Sequence, residues 1–427
     1  MIVSRAWAGK HYAVLGLARS GAATVRALLA GGATVTAWDS DAAKRDGVTG
    51  ATIVDLDTID LTTVDALVVS PGVPLNTHPL AARARAASVP IIGDIELFAE
   101  ARADLPAHRV VGVTGTNGKS TTTALVKHIL DSAGVPALMG GNIGLPILGV
   151  ESLPAGGVYV LELSSYQIDL TRTLDCDVAV LLNITPDHLD RYDGFEAYAA
   201  SKARLFAMQS RDHEAIVAIG DDASAKIARS LSARAEHLTK IAPGVCMDQS
   251  RWPSLQGPHN AQNALAAINA CEALGIPTAA IDEGLATFSG LPHRMKRVAT
   301  LGGVTWYDDS KATNPESAAP ALAAFPRIHW ILGGRAKGDD LDACLPHLPH
   351  VVRAYTIGEA GPRFAEVLRS HVPVAEAGTL EVAVAEAARA AVRGEVVLLS
   401  PAAASFDQFR DYEHRGAAFR EAVEGLA

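Results

Sequence analysis

The sequence predicts an α/β protein in three segments, each built on a mostly parallel sheet covered by helices. Three observations carry this. Short apolar runs recur along the chain and are continuous rather than alternating, as strands buried on both faces are. Most runs end in glycine or a polar turn, and helix-like, often alanine-rich stretches lie between them. The length, 427 residues, suits two to four domains at roughly 100–200 residues each.

In the first segment, expected at 1–105, Tyr12–Leu17 is an apolar run. Gly16 and Gly21 mark a turn, Ala22–Ala30 is helix-like, and Val35–Trp38 is apolar again and ends at Asp39. Strand, glycine turn, helix, strand is a βαβ unit. Ala66–Val69 repeats the strand signal ahead of Ser70-Pro71-Gly72, and Pro90–Ile92 gives another. A charged stretch with Pro106 closes the segment.

The second segment, 106–290, has strand candidates at Arg109–Val113, Val158–Leu163 and Val178–Asn183. Pro253–Gly257 reads as a loop, and Asn260–Leu274 as a helix ended by Gly275 and Pro277. The third, 291–427, has strand candidates at Val304–Tyr307, His329–Leu332, Arg353–Ile357 and Glu395–Leu399, with a helix over Val382–Val392. The segments share architecture but no strict sequence repeat.

Composition narrows the function. A formal charge of −10 argues against a nucleic-acid partner, whose phosphates need a basic surface. A small anionic substrate remains open, because local basic groups decide that. Cys176, Cys246, Cys271 and Cys344 form no CxxC pair, so neither a disulfide framework nor a zinc cluster is expected, which fits a reducing cytoplasm. The N-terminal apolar run reads as a buried strand, not a leader. No run reaches the ~18 apolar residues that a spanning helix needs, so no membrane insertion is expected.

The chemistry-bearing string is Thr114-Gly115-Thr116-Asn117-Gly118-Lys119-Ser120-Thr121, between an apolar run and the helix-like Thr122–Leu130. Glycines let backbone N–H groups turn toward phosphate oxygens, and the following helix start adds free donors and partial positive charge. Lys119 is placed to reach β- and γ-phosphates and Ser120 to hold Mg²⁺. The usual leading glycine of such a loop is replaced by Val113. Glu162 stands in an otherwise apolar run, where a carboxylate is costly unless paired or metal-bound.

The loop string resembles the ATP loop of the Mur ligase family, which also lacks that first glycine. Further matches follow in the family's order along the whole chain. Glu162-Leu163-Ser164-Ser165-Tyr166-Gln167 resembles its magnesium-glutamate strand, and Asn183-Ile184-Thr185-Pro186-Asp187-His188 its second metal motif. Lys202 sits where the family carries a carbamylated lysine; as a free amine it would repel a metal, whereas the carbamate is an anion. His259-Asn260 with Asn263 resembles the helix start near the adenine. Leu291-Pro292-His293-Arg294, Asp308–Asn314 and Leu332-Gly333-Gly334 resemble the motifs of the third domain.

The resemblance implies a Rossmann-like first domain, a central P-loop ATPase domain and a Rossmann-like third domain. It implies an ATP- and Mg²⁺-dependent amide-bond ligase of peptidoglycan precursor synthesis, acting as a monomer. Gly115, Thr116, Asn117, Gly118, Lys119, Ser120, Thr121, Asn260, Arg294, Asp309 and Lys311 would bind ATP. Ser120, Glu162, His188 and Lys202 would hold metal, and Lys119, Glu162, His188 and Lys202 would be catalytic.

Within the family, the first turn and the last loop point to the branch that adds D-glutamate to UDP-N-acetylmuramoyl-L-alanine. Arg19, Ser20, Asp39, Ser40, Ser70 and Asn142 would hold the UDP-substrate, with Gly93-Asp94-Ile95-Glu96-Leu97-Phe98 as a further match. Thr313, Lys337, Ser405, Phe406 and Tyr412 would hold the amino acid. The family's last loop usually has cysteine where Ala403 stands and leucine where Phe406 stands, which leaves an L-glutamate-adding ligase open. The diaminopimelate signature Asp-Asn-Pro-Arg is absent. The Gly16–Gly21 turn with Asp39, taken alone, also suits a NAD-dependent dehydrogenase. That reading leaves the phosphate loop and Glu162 unexplained.

Overall fold

The computed structural model of the protein describes residues 1–244, 247–336, 338 and 340–426. Cys246 and Lys337 therefore lie outside the described residues. The chain divides into two compact units, one of residues 1–243 with 265–284, the other of 244–264 with 285–427.

The first unit holds two parallel sheets. One is formed by β1 (His11–Leu15), β2 (Thr34–Trp38), β3 (Thr52–Ile53), β4 (Ala66–Val69) and β5 (Ile91–Ile92), in the order β3-β2-β1-β4-β5. The other is formed by β6 (His108–Thr114), β7 (Ala137–Gly141), β8 (Gly157–Glu162), β9 (Val178–Leu181), β10 (Glu214–Ala218) and β11 (Leu238–Ile241), ordered β11-β10-β9-β6-β8-β7. In each sheet the chain fills one side and then crosses to the other, at β1/β4 and at β6/β9. Such reversals open a crevice at the carboxyl ends of the strands.

The two sheets of this unit share one apolar core. Phe98 lies edge-on to Tyr159 at 5.0 Å. A polar latch joins them as well. Buried Glu96, on helix Asp94–Ala101, accepts from the Arg172 amide at 2.6 Å, the Thr173 amide at 3.0 Å and the Thr173 hydroxyl at 2.8 Å. The Gly93 amide donates to the Leu170 carbonyl at 3.0 Å. The loop so held directly follows helix Ser165–Asp169, which opens just after Glu162.

The second unit carries β12 (Lys296–Leu301), β13 (Val304–Asp308), β14 (Ile328–Gly333), β15 (Val351–Ile357), β16 (Val374–Gly378) and β17 (Val396–Leu399), ordered β12-β13-β17-β14-β15-β16. Only β12 runs antiparallel, at the edge. No helix among the described residues is long and apolar enough to cross a membrane.

Element limits moved for local reasons. The run Tyr12–Leu17 leaves the sheet at Gly16, whose φ is +89°, and the helix after it starts at Arg19 rather than Ala22. The run to Asn183 leaves its sheet after Leu181, because Asn183 turns to the phosphate loop. The alanine-rich helices run over Pro258–Ala273 and Leu380–Ala390. Strands β3, β7, β11, β12 and β16, which the apolar-run signal misses, all lie at sheet edges. Interior β10 is missed because charged residues crowd its start.

Candidate functional site

Strand β6 delivers the loop Gly115–Gly118 to helix Lys119–Ser132. Gly118 caps that helix at φ +86°, a left-handed conformation that only glycine adopts cheaply. The loop is shaped from the neighbouring strand. Asn183 accepts from the Thr116 amide through its carbonyl at 2.9 Å and from the Asn117 amide through its side chain at 2.8 Å, and donates back to the Asn117 carbonyl at 3.1 Å. Ser120 is buried at the helix start. The Lys119 ammonium folds over the loop, donating to the carbonyls of Gly115 at 2.9 Å and Thr116 at 2.7 Å.

Register brings Glu162 to this place. It pairs with Val113 across β8 and β6, beside the root of the loop. The carboxylate is 3% exposed. Its Oε1 accepts from the Asn142 side chain at 3.0 Å, while its buried Oε2 has no hydrogen-bond partner. An unsatisfied buried carboxylate oxygen is costly, so this atom suits a cation. Among the described residues no three His, Cys, Asp or Glu side chains form a metal cluster of their own. A single available carboxylate oxygen suits Mg²⁺, which takes one or two carboxylates and completes its shell with water and phosphate oxygens.

Lys202, on helix Gly194–Ala207, reaches the same loop from the far side. It is 1% exposed and donates to the Gly115 carbonyl at 2.9 Å, with its ammonium 4.7 Å from the centre of the Tyr198 ring. The Tyr198 hydroxyl is 3.1 Å from the Thr116 hydroxyl. Burial, then the charge of Lys119, holds the Lys202 amine well below the ordinary lysine pKa, against the pull of Asp187, Asp169 and Glu162.

His188 follows β9 in a left-handed conformation, φ +54°, which is strained for a residue with a side chain. Its ring lies 5.1 Å from that of Tyr166, and its Nε2 is 3.5 Å from Asp187. Burial lowers its pKa and the charges of Lys119 and Lys202 add to this, opposed by Asp187 and Asp190. The structure therefore brings Lys119, Ser120, Glu162, His188 and Lys202 to one strand-end crevice.

In the first sheet, the turn after β1 meets the ends of β2 and β4. Asp39 accepts from the amides of Leu17 at 2.7 Å and Asp41 at 2.9 Å. Burial works to raise its pKa, but those amides and the charges of Lys44 and Arg45 outweigh it and lower it. Arg45 stacks on Trp38 at 4.3 Å and donates to the carbonyls of Asp39 and Ser40. The Ser70 hydroxyl donates to the Gly16 carbonyl at 2.9 Å, and Arg19 donates to Gly144 at 3.1 Å, next to Asn142. Ser20 opens the helix beside Arg19.

In the second unit, the ends of β13, β14 and β17 converge. Asp309 is buried. It accepts from the Ser400 hydroxyl at 2.8 Å and the Met295 amide at 3.1 Å, and burial raises its pKa to about 7 against these hydrogen bonds. The Lys311 ammonium stands 3.7 Å over the Tyr412 ring, and the Lys311 amide donates to the His293 carbonyl at 3.0 Å. His293 is 2.7 Å from Asp308, and a Cβ on Gly416 would collide with the His293 ring. Arg294 and Thr313 are half-buried, Ser405 is buried and Phe406 is exposed. Asn260 is buried, donating to the Gln256 carbonyl at 3.0 Å and accepting from Asn263 at 3.2 Å. The sequence reading missed Tyr198 and Arg415, because an aromatic or basic residue on a helix carries no local signal of what it faces. Asn183 and Glu96 lay inside matched motifs, yet their partners are remote in sequence.

Known proteins resemble this chain throughout. A Mur ligase middle-domain profile matches residues 113–243, a Mur ligase glutamate-ligase-domain profile 293–403, and a MurD-like N-terminal-domain profile 10–93. The chain is 63% identical to the UDP-N-acetylmuramoylalanine–D-glutamate ligase of Novosphingobium aromaticivorans, over all of this chain and 97% of that protein. It is 55% identical to the protein of the same name from Zymomonas mobilis, over the whole of both. Among solved structures, the UDP-N-acetylmuramate–alanine ligase MurC of Thermotoga maritima aligns with a TM-score of 0.58 at 17% identity, over 98% of this chain and all of that one. A pseudomurein peptide ligase type C from Methanothermus fervidus gives 0.56 at 18% identity with the same coverage. At these identities the structural matches show the fold alone.

Proposed function

The chain belongs to the Mur ligase family, and from that premise we propose that it joins D-glutamate to UDP-N-acetylmuramoyl-L-alanine at the expense of ATP, a step of peptidoglycan precursor synthesis. Full-length relatives at 55–63% identity bear the name of that activity. The single structural observation that carries the chemistry is the buried, unpartnered oxygen of Glu162 beside the phosphate loop.

We assign the acceptor to segment 1–105, with Arg19, Ser20, Asp39, Ser40, Ser70 and Asn142 holding it. ATP goes to segment 106–290 and the amino acid to segment 291–427, with Thr313, Ser405, Phe406 and Tyr412. A carboxylate is a poor acyl donor because oxide is a poor leaving group. The acceptor's alanyl carboxylate oxygen therefore attacks the γ-phosphorus, the bond to ADP breaks, and an acyl phosphate forms. The amine of D-glutamate then attacks the acyl carbon. The tetrahedral adduct loses inorganic phosphate and a proton, leaving the amide. Loop amides, the helix start and the Lys119 ammonium offset charge on the transferred group, since phosphoryl transfer depends on positioning and electrostatics. Lys119 must leave the carbonyls of Gly115 and Thr116 to do so.

Glu162 and Ser120 fit one Mg²⁺, and His188 with a carbamylated Lys202 a second. Bound there, the metal would supply positive charge against the phosphates. The lowered pKa of Lys202 favours the neutral amine that reacts with carbon dioxide. The buried thiols Cys176, Cys271 and Cys344 suit action in the cytoplasm, and we assign the chain as a monomer.

Phosphate release from ATP, measured with the UDP-muramoyl-alanine acceptor and a panel of amino acids, tests this. Release with D-glutamate and not with L-glutamate is expected. Release that favours L-glutamate, or none with either, would overturn the assignment.

A further inference from the structure

Arg415, in the first turn of helix Tyr412–Glu424, has no exposed surface. Buried arginines ordinarily face a carboxylate. Among the described residues none lies within ion-pair distance of this one, and Asp407 and Asp308 act on it only from further off. Its donors go to other groups. Nε donates to the Ser310 hydroxyl at 3.0 Å, Nη2 to the Ser310 carbonyl at 2.8 Å, and Nη1 to the carbonyls of Ala403 at 3.0 Å and Gly333 at 3.3 Å.

Those partners stand at the carboxyl ends of β13, β14 and β17. One guanidinium thus touches each loop that carries Lys311 and Thr313, Gly334 and Arg335, or Ser405 and Phe406. Carbonyl dipoles satisfy its hydrogen bonds, while Asp407 and Asp308 offset its unit charge only from beyond ion-pair distance. A charge in a low-dielectric interior acts over a longer range than an exposed one, and salt screens it less. Burial lowers its pKa to about 10, so it stays protonated at neutral pH.

We propose that Arg415 is a positioning and specificity-determining residue whose buried charge draws the carboxylates of the amino-acid substrate to these three loop ends. This rests on the reading that D-glutamate binds there. The discriminating measurement is the KM for D-glutamate, for ATP and for the nucleotide acceptor, together with kcat and thermal midpoint, on the parent enzyme, Arg415→Met and Arg415→Lys.

Arg415→Met should raise the KM for D-glutamate about tenfold while the other two KM values stay within about twofold. Arg415→Lys keeps the charge and should retain most of the affinity. If the three KM values rise together, if Lys is as impaired as Met, or if kcat alone falls, the residue is a structural brace and the proposal is wrong. Should Arg415→Met fail to fold, Arg415→Gln serves as the neutral variant in the same comparison. A parent enzyme that releases no phosphate with D-glutamate would instead refute the proposed function, and this inference with it.

Discussion

The ammonium groups of Lys119 and Lys202 donate to the same carbonyl oxygen, that of Gly115, each at 2.9 Å. Burial first, and then repulsion between these two cations, hold the Lys202 amine well below the ordinary lysine pKa. Converting that amine to a carbamate would turn repulsion of Lys119 into attraction.

Lys202→Ala should accordingly lower turnover by about 10²–10³, with partial return on adding a short carboxylic acid that replaces the lost anion. Phosphate-release assays with and without acetate check this. Full activity in the variant, or no response to acetate, would remove the carbamate from the mechanism.

Lys119→Ala should abolish turnover, a loss of about 10² or more, while circular-dichroism melting shows an intact fold. Its ammonium donates to loop carbonyls, so the substitution should spare the apolar core. Near-normal activity would mean the phosphates bind elsewhere.

Glu162→Gln should separate stability from activity. The amide can keep the hydrogen bond from Asn142 if it turns its oxygen that way, and it removes a buried charge with one unsatisfied oxygen. The ligand-free protein should be as stable as the parent or more so, by about 1–3 kcal/mol. Turnover should fall by about 10². Thermal denaturation and phosphate release read the two effects; a destabilised variant with normal turnover would contradict both.

Two carboxylates should give stability a definite pH profile. Burial would raise Glu395, but the Val392 amide, His329 and Arg327 hold its pKa down to about 2. A depressed acid stabilises the fold above its unfolded pKa, near 4.5, and that stabilisation is lost as pH falls toward 2. Asp309 has the opposite sign. Its pKa is raised to about 7, so the folded state holds the proton more tightly and stability declines as pH rises from about 4 to 7. Denaturant midpoints from pH 3 to 8 should show Glu395→Gln losing the acid-side slope and Asp309→Asn the neutral-side decline. Unchanged slopes would mean that neither group is coupled to folding.

Apart from β10, whose start is crowded with charge, the interior strands were legible because cover on both faces forces a continuous apolar run. β1, β4, β6, β8, β14 and β17 all show it. Edge strands such as β3 and β16 carry no such constraint and left no signal. The phosphate loop was legible because its conformation depends on local glycine and lysine chemistry. Glu162 was legible as a carboxylate out of place in an apolar strand. Tyr198 and Arg415 were not, because their roles are set by backbone carbonyls or a hydroxyl that sequence distance conceals. The inward turn of Asp309 left no local signal either. The hydroxyl of Ser400 donates to Asp309, a contact between residues far apart along the chain.

The latch of Glu96 and Gly93 onto residues 170–173 has a further consequence. The first two sheets are joined through a shared interior and a three-pronged carboxylate, so an acceptor held as proposed would meet a set span from the Ser70 turn to the Lys119 helix. A nucleotide-sugar whose peptide stub is one residue too short or too long would bring its terminus to the wrong mark. Length would then be discriminated by the frame itself, with no side chain assigned to read it.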